Sequence, residues 1–81
     1  MDRAMLLDHL AQAEHHVSVG ARHIARQREI IAELERTGAD STEANLLLQL
    51  LEELQALHLA DRDRLRAELG VSEPSLNRPR P

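Results

Sequence analysis

The sequence predicts an all-α fold: an antiparallel two-helix hairpin, a helical coiled coil, expected to dimerise into a four-helix bundle. Three observations predict it. Apolar residues recur at heptad spacing through the first half of the chain. The stretch Thr37-Gly38-Ala39-Asp40-Ser41 holds both a helix stop and a helix start. Finally, the chain has no aromatic residue and no cysteine, so its core must be built from Leu, Ile, Val, Ala and Met, which suits helices. Lack of Cys also removes disulfides, thiolate metal sites and thiol nucleophiles.

The first helix is expected over about residues 3–37, with Asp2 as its N-cap. Leu10, Val17, Ile24 and Ile31 fall on one column. Leu6, Ala13, Gly20, Gln27 and Leu34 form the column beside it, and the two make a heptad seam. Ala11, Ser18, Ala25 and Ala32 flank the seam, where small side chains let a neighbouring helix come close. Asp8, His15, Arg22, Glu29 and Arg36 occupy the opposite, solvated face.

The turn is expected at residues 38–41. Gly38 takes the left-handed conformation that closes a helix without a Cβ penalty. Asp40 is read as the next N-cap, with Glu43 completing a capping box.

The second helix is expected over about residues 42–69, stopped by Gly70 with Pro74 beyond. Leu47, Leu50, Leu51, Leu54, Leu57 and Leu65 read as one stripe, with Leu46, Leu48 and Leu59 outside it. One partner helix cannot cover that arc. Leu46, Leu48, Leu50, Leu57 and Leu59 are therefore assigned to an interface between chains. Residues 1–70 form the hairpin domain, and 71–81, which contain all three prolines, read as a disordered or loosely docked tail.

Two helices touching along one seam bury too little apolar surface to offset the entropy of ordering them, so a homodimer is expected. Pairing about the turn sets residue i opposite roughly residue 78 minus i. Ile31 then faces Leu47, Ile24 faces Leu54 and Ala13 faces Leu65. Gly20 falls opposite His58, with Ser18 near Asp61. These four residues read as a polar core layer that fixes register. An acid/base pair of His58 and Asp61 is the rival reading. Apart from Ser18 as a candidate nucleophile, no nucleophile or oxyanion site accompanies it, so no catalytic residue is assigned.

His9, His16 and His23 stand one heptad apart, with His15 beside them. A single helix brings metal ligands together at three or four residues, not seven, so no metal and no cofactor is assigned. These histidines are expected to face solvent.

Net charge is −4, and all ten basic residues are Arg. Arg22, His23, Arg26 and Arg28 form the densest basic stretch; Arg22 and Arg26 share a face that His15 extends, and this face is the alternative reading, an RNA-binding surface. Glu29, Glu33 and Glu35 follow at once and weaken it for phosphate, so nucleic acid is the disfavoured partner. No signal-peptide pattern opens the chain and no apolar run is long enough to span a bilayer, so a cytoplasmic protein without membrane contact is expected.

The stretches Leu10–Val17, Gly20–Ile30 and Glu52–Leu65 resemble short helical-hairpin proteins encoded in many proteobacterial genomes. The resemblance covers about residues 4–70 and implies a small bacterial helical protein. It implies no activity, cofactor or partner. Paired hairpins are also the layout of Rop-like RNA-binding proteins, a likeness of layout that carries no residue across. The expected function is that of a non-enzymatic, homo-oligomeric interaction or regulatory module, its protein partner unidentified.

Overall fold

The structure, a computed structural model, describes residues 2–70. The expected tail at 71–81 lies outside the described residues. Helix α1 runs from Arg3 to Arg36 and helix α2 from Thr42 to Leu69, and the two pack against each other as an all-helical hairpin.

Each boundary has a local cause. At the start of α1 the Asp2 carboxylate accepts the Met5 N–H at 2.8 Å, satisfying one of the donors that a helix N-terminus leaves unpaired. At its end, Gly38 adopts φ +75°. The Gly38 N–H then donates to the Glu35 carbonyl at 3.2 Å and the Ala39 N–H to the Leu34 carbonyl at 2.8 Å. That bond pair is the Schellman motif, and the left-handed conformation it needs is why a glycine stands there. The Thr37 hydroxyl adds bonds to the Glu33 and Leu34 carbonyls. Gly70 closes α2 in the same left-handed conformation, at φ +73°.

The start of α2 departs from the expected capping box. Ser41, not Asp40, holds the cap position, and its side chain makes no capping bond. The Asp40 carboxylate instead accepts both the Thr42 N–H at 2.9 Å and the Thr42 hydroxyl at 2.7 Å. A short acidic side chain can reach a backbone N–H two residues ahead as readily as three, and here that local turn wins.

The seam of α1 follows both columns read from the sequence: Leu10, Ala13, Gln27 and Ile31 are buried, and Leu6, Val17, Gly20, Ile24 and Leu34 half-buried. On α2 the facing residues are Ala44, Leu48, Leu51, Gln55, His58, Arg62, Leu65 and Leu69. Their spacing alternates four and three residues over the whole helix, the rhythm that keeps a stripe aimed at one neighbour. Leu10, Ala13, Leu65 and Leu69 form the core cluster, with Leu6 packed against it. Ala13 and Leu65 thus meet as the pairing expected. The best-packed part of the hairpin lies at the end away from the turn.

This seam is not the stripe read from the leucines. Leu47, Leu50, Leu54 and Leu57 are exposed rather than at the centre of the seam. Leu48 and Leu59, assigned above to an interface between chains, are half-buried within the hairpin. The reason lies beyond residue 57. Continued at heptad spacing, the row Leu47, Leu50, Leu54, Leu57 becomes Asp61, Arg64 and Glu68. The row through Leu48 and Leu51 reaches Leu65 and Leu69. Only the second row stays apolar where Leu6, Leu10 and Ala13 need a partner.

Candidate functional site

Helix α2 therefore carries two heptad rows. Each member of the exposed row stands one residue before a member of the buried row: Leu47 before Leu48, Leu50 before Leu51, Leu54 before Gln55, Leu57 before His58. One residue is about 100° of helical rotation, so the exposed row points along one open face of the hairpin rather than away from α1. Leu50 is 62% exposed and Leu57 68%, with Leu46 beside them at 56%. Of the five leucines expected between chains, Leu46, Leu50 and Leu57 lie on this exposed surface.

The same face carries a cleft of about 310 Å³ between the helices. His15, His16 and His23 of α1 line it together with Leu51, Leu54, Gln55 and His58 of α2. A shallower groove of about 270 Å³ continues from His23 along Gln27, Leu47 and Leu51. The histidine column and the exposed leucines are thus neighbours. His58 lies against His16, with ring centroids 5.2 Å apart and planes at 40°, and the His15 and His16 centroids are 6.3 Å apart.

The expected polar layer of Ser18, Gly20, His58 and Asp61 does not form. Ser18 is exposed and accepts from Arg22 Nη1 at 3.3 Å. Asp61 is exposed and accepts from Arg64 Nη2 at 2.7 Å, while Arg64 Nη1 reaches Glu68 at 3.2 Å. The Asp61 carboxylate pushes the Arg64 pKa up, further from any pH at which it would lose its charge. Of the four residues, Gly20 and His58 remain between the helices, but Gly20 meets Gln55 and His58 meets His16.

Two glutamines bond across the seam. Gln27 Nε2 donates to the Ala44 carbonyl at 2.9 Å, from α1 to α2. Gln55 Nε2 donates to the Val17 carbonyl at 2.8 Å, in the opposite direction. The Gln55 carbonyl oxygen is buried and has no hydrogen-bond partner. The heptad columns place Gln27 in the seam, whereas the leucine stripe leaves Gln55 out of it. The 4-3 spacing that runs through Gln55 and His58 to Leu65 and Leu69 is the signal that would have found Gln55 and set His58 beside His16.

On the basic face, His15, Arg22 and Arg26 are exposed as a group. Arg26 pairs with Glu29 at 3.5 Å, and the neighbouring Arg28 crosses to Glu52 of α2 at 3.0 Å. Ion pairs this exposed add little to stability, but each offsets a charge that a phosphate would need.

Among the described residues, no three His, Cys, Asp or Glu side chains of the chain gather as a metal-binding group. No helix among them is long and apolar enough to cross a membrane. No protein-family model matches the chain, and comparisons with curated proteins and with solved structures give no match.

Proposed function

We propose that this chain is a non-enzymatic, homo-oligomeric helical module whose first partner is a second copy of itself. The observation that carries this reading is the exposed row Leu47, Leu50, Leu54, Leu57, with Leu46 beside it. Four leucines at 3-4-3 spacing form the kind of row that helices use to pair. A contiguous apolar strip left in water marks an interaction surface. The row runs beside the stretch of the hairpin's own seam where Gln27, Gln55 and His58 stand among the aliphatic residues.

A homodimer through this row makes a four-helix bundle and covers the leucines that the hairpin leaves in water. In that arrangement the polar outer faces present the module to an unidentified protein partner, in the cytoplasm of a bacterial cell. RNA binding through His15, Arg22 and Arg26 is the weaker alternative, because Glu29 and Glu52 already engage the arginines of that stretch.

Sedimentation equilibrium at micromolar concentration tests the reading. The expected mass is twice that of the chain, with a melting temperature that rises with protein concentration. A folded monomer with concentration-independent melting would overturn it. A salt-sensitive mobility shift with structured RNA at physiological salt would move the assignment to the alternative.

A further inference from the structure

The cleft beside the leucine row holds four of the chain's five histidines, contributed by both helices. We infer that His16 and His58 form half of a transition-metal site for zinc or a similar borderline divalent ion, completed by the same two residues of a second copy. The inference rests on the proposed homodimer.

The first support is geometric. Zn–N bonds of about 2.0–2.1 Å at a tetrahedral angle set the centroids of two bound imidazoles roughly 5 Å apart. His16 and His58 already stand at 5.2 Å with their planes tilted by 40°. They come from different helices, so the pair is held by the hairpin's packing rather than by local chain geometry. Heptad spacing rules out chelation among His9, His16 and His23 on α1 alone, and His58 supplies the second ligand from across the seam.

The second support is chemical. No carboxylate lines the cleft, so nothing there suits calcium or magnesium, whereas neutral imidazole suits zinc, nickel and copper. Histidines bound to a metal donate their second ring N–H to an outer acceptor that orients them. The Gln55 carbonyl oxygen is buried without a partner in a residue lining this same cleft, three residues before His58. It is an acceptor without a donor on a residue that shares the cleft lining with the histidines.

The second copy enters because one chain provides two ligands and a closed tetrahedral site needs four. Leu54 belongs both to the exposed row and to the cleft lining. A copy seated on the row therefore lies against the cleft mouth. Across a two-fold interface, residues near the axis meet their own counterparts, which doubles the His16–His58 pair to four imidazoles.

Calorimetric titration of the metal-free full chain with zinc chloride tests the site, with sedimentation in chelator run in parallel. The expected stoichiometry is one zinc per two chains. H16A and H58Q should each weaken binding by more than the roughly 10–100-fold that loss of an outer partner costs. H9A removes the one histidine outside the cleft and should leave binding unchanged. Circular dichroism confirms that each variant is helical. One zinc per chain, wild-type affinity retained in H16A or H58Q, or no binding overturns the site. A dimer in chelator that binds no zinc defeats the metal site and leaves the leucine interface standing. A monomer in chelator that pairs on adding half an equivalent of zinc supports the site and defeats metal-free dimerisation.

Discussion

The carboxamide of Gln55 lies over the backbone of Gly20. Its Nε2 donates to the Val17 carbonyl at 2.8 Å, and a Cβ on Gly20 would overlap Oε1 and stand 2.8 Å from Cδ. The glycine is thus the space that lets a polar side chain cross the seam and bond the far backbone. A mid-helix Gly-to-Ala change ordinarily gains about 0.5–1 kcal/mol. Here the new methyl must push the amide off Val17, losing a bond with a net contribution of about 1 kcal/mol. Gly20→Ala should therefore be close to neutral alone and stabilising by its full amount in a Gln55→Ala background. A double-mutant cycle by urea denaturation checks this, and equal effects of Gly20→Ala in both backgrounds would contradict it.

Gln55 also carries a cost, because a buried oxygen without a partner forfeits about 1–3 kcal/mol of hydration. Gln55→Met keeps the unbranched shape and removes both the orphaned oxygen and the single bond from Nε2. The expected result is a gain in stability on the order of 1 kcal/mol. The same variant loses the cross-helix bond that specifies register, so its amide proton NMR spectrum should broaden. A destabilised Gln55→Met protein would mean that the Val17 bond outweighs the unpaired oxygen.

Leu65 and Leu57 stand on one helix with opposite fates, 2% and 68% exposed. Leu65→Ala empties a filled site in the core cluster and should cost about 2–5 kcal/mol. Replacing both Leu50 and Leu57 with Glu should change an isolated hairpin by no more than about 0.5 kcal/mol at each site. In a dimer paired through the leucine row, it would bury charges against an apolar partner and split the assembly. Sedimentation of that double variant should give the mass of a single chain, with the concentration dependence of melting gone. Retention of a dimer would place the interface elsewhere.

The hairpin, its turn and the α1 seam were legible because each rests on a local pattern: Gly38 for the left-handed stop, and heptad columns for α1. The stripe on α2 was not, because leucine density is a poor guide where two rows interleave. Leu47 and Leu48 are equally apolar, and only the distant residues that continue each row, Glu68 against Leu69, decide which faces α1. Placing Leu47, Leu54 and Leu57 in the seam sent Asp61 into the core and hid Gln55. The pairing of His16 with His58 was lost for the same reason. Long side chains blurred the register further, since Gln55 reaches past its nearest neighbour to bond Val17.

Asp40 makes the turn sensitive to acid. Its carboxyl is held below the ordinary carboxylate range, chiefly by the Thr42 hydroxyl and then by the Thr42 N–H, both of which donate to the ionised form. A carboxylate whose pKa falls on folding contributes stability above its unfolded pKa and loses it as pH drops through the folded one. The effect should therefore be complete at neutral pH and disappear below about pH 4. Asp40→Asn retains an oxygen acceptor for Thr42 but cannot ionise. Wild type should exceed Asp40→Asn in urea midpoint at pH 7, and the gap should close as pH falls through the acid range. Glu33, whose pKa its bond to Arg36 also lowers, is untouched by this change, so both proteins keep that part of their acid dependence. A gap that stayed constant from neutral to acid pH would place the role of Asp40 in its shape rather than its charge.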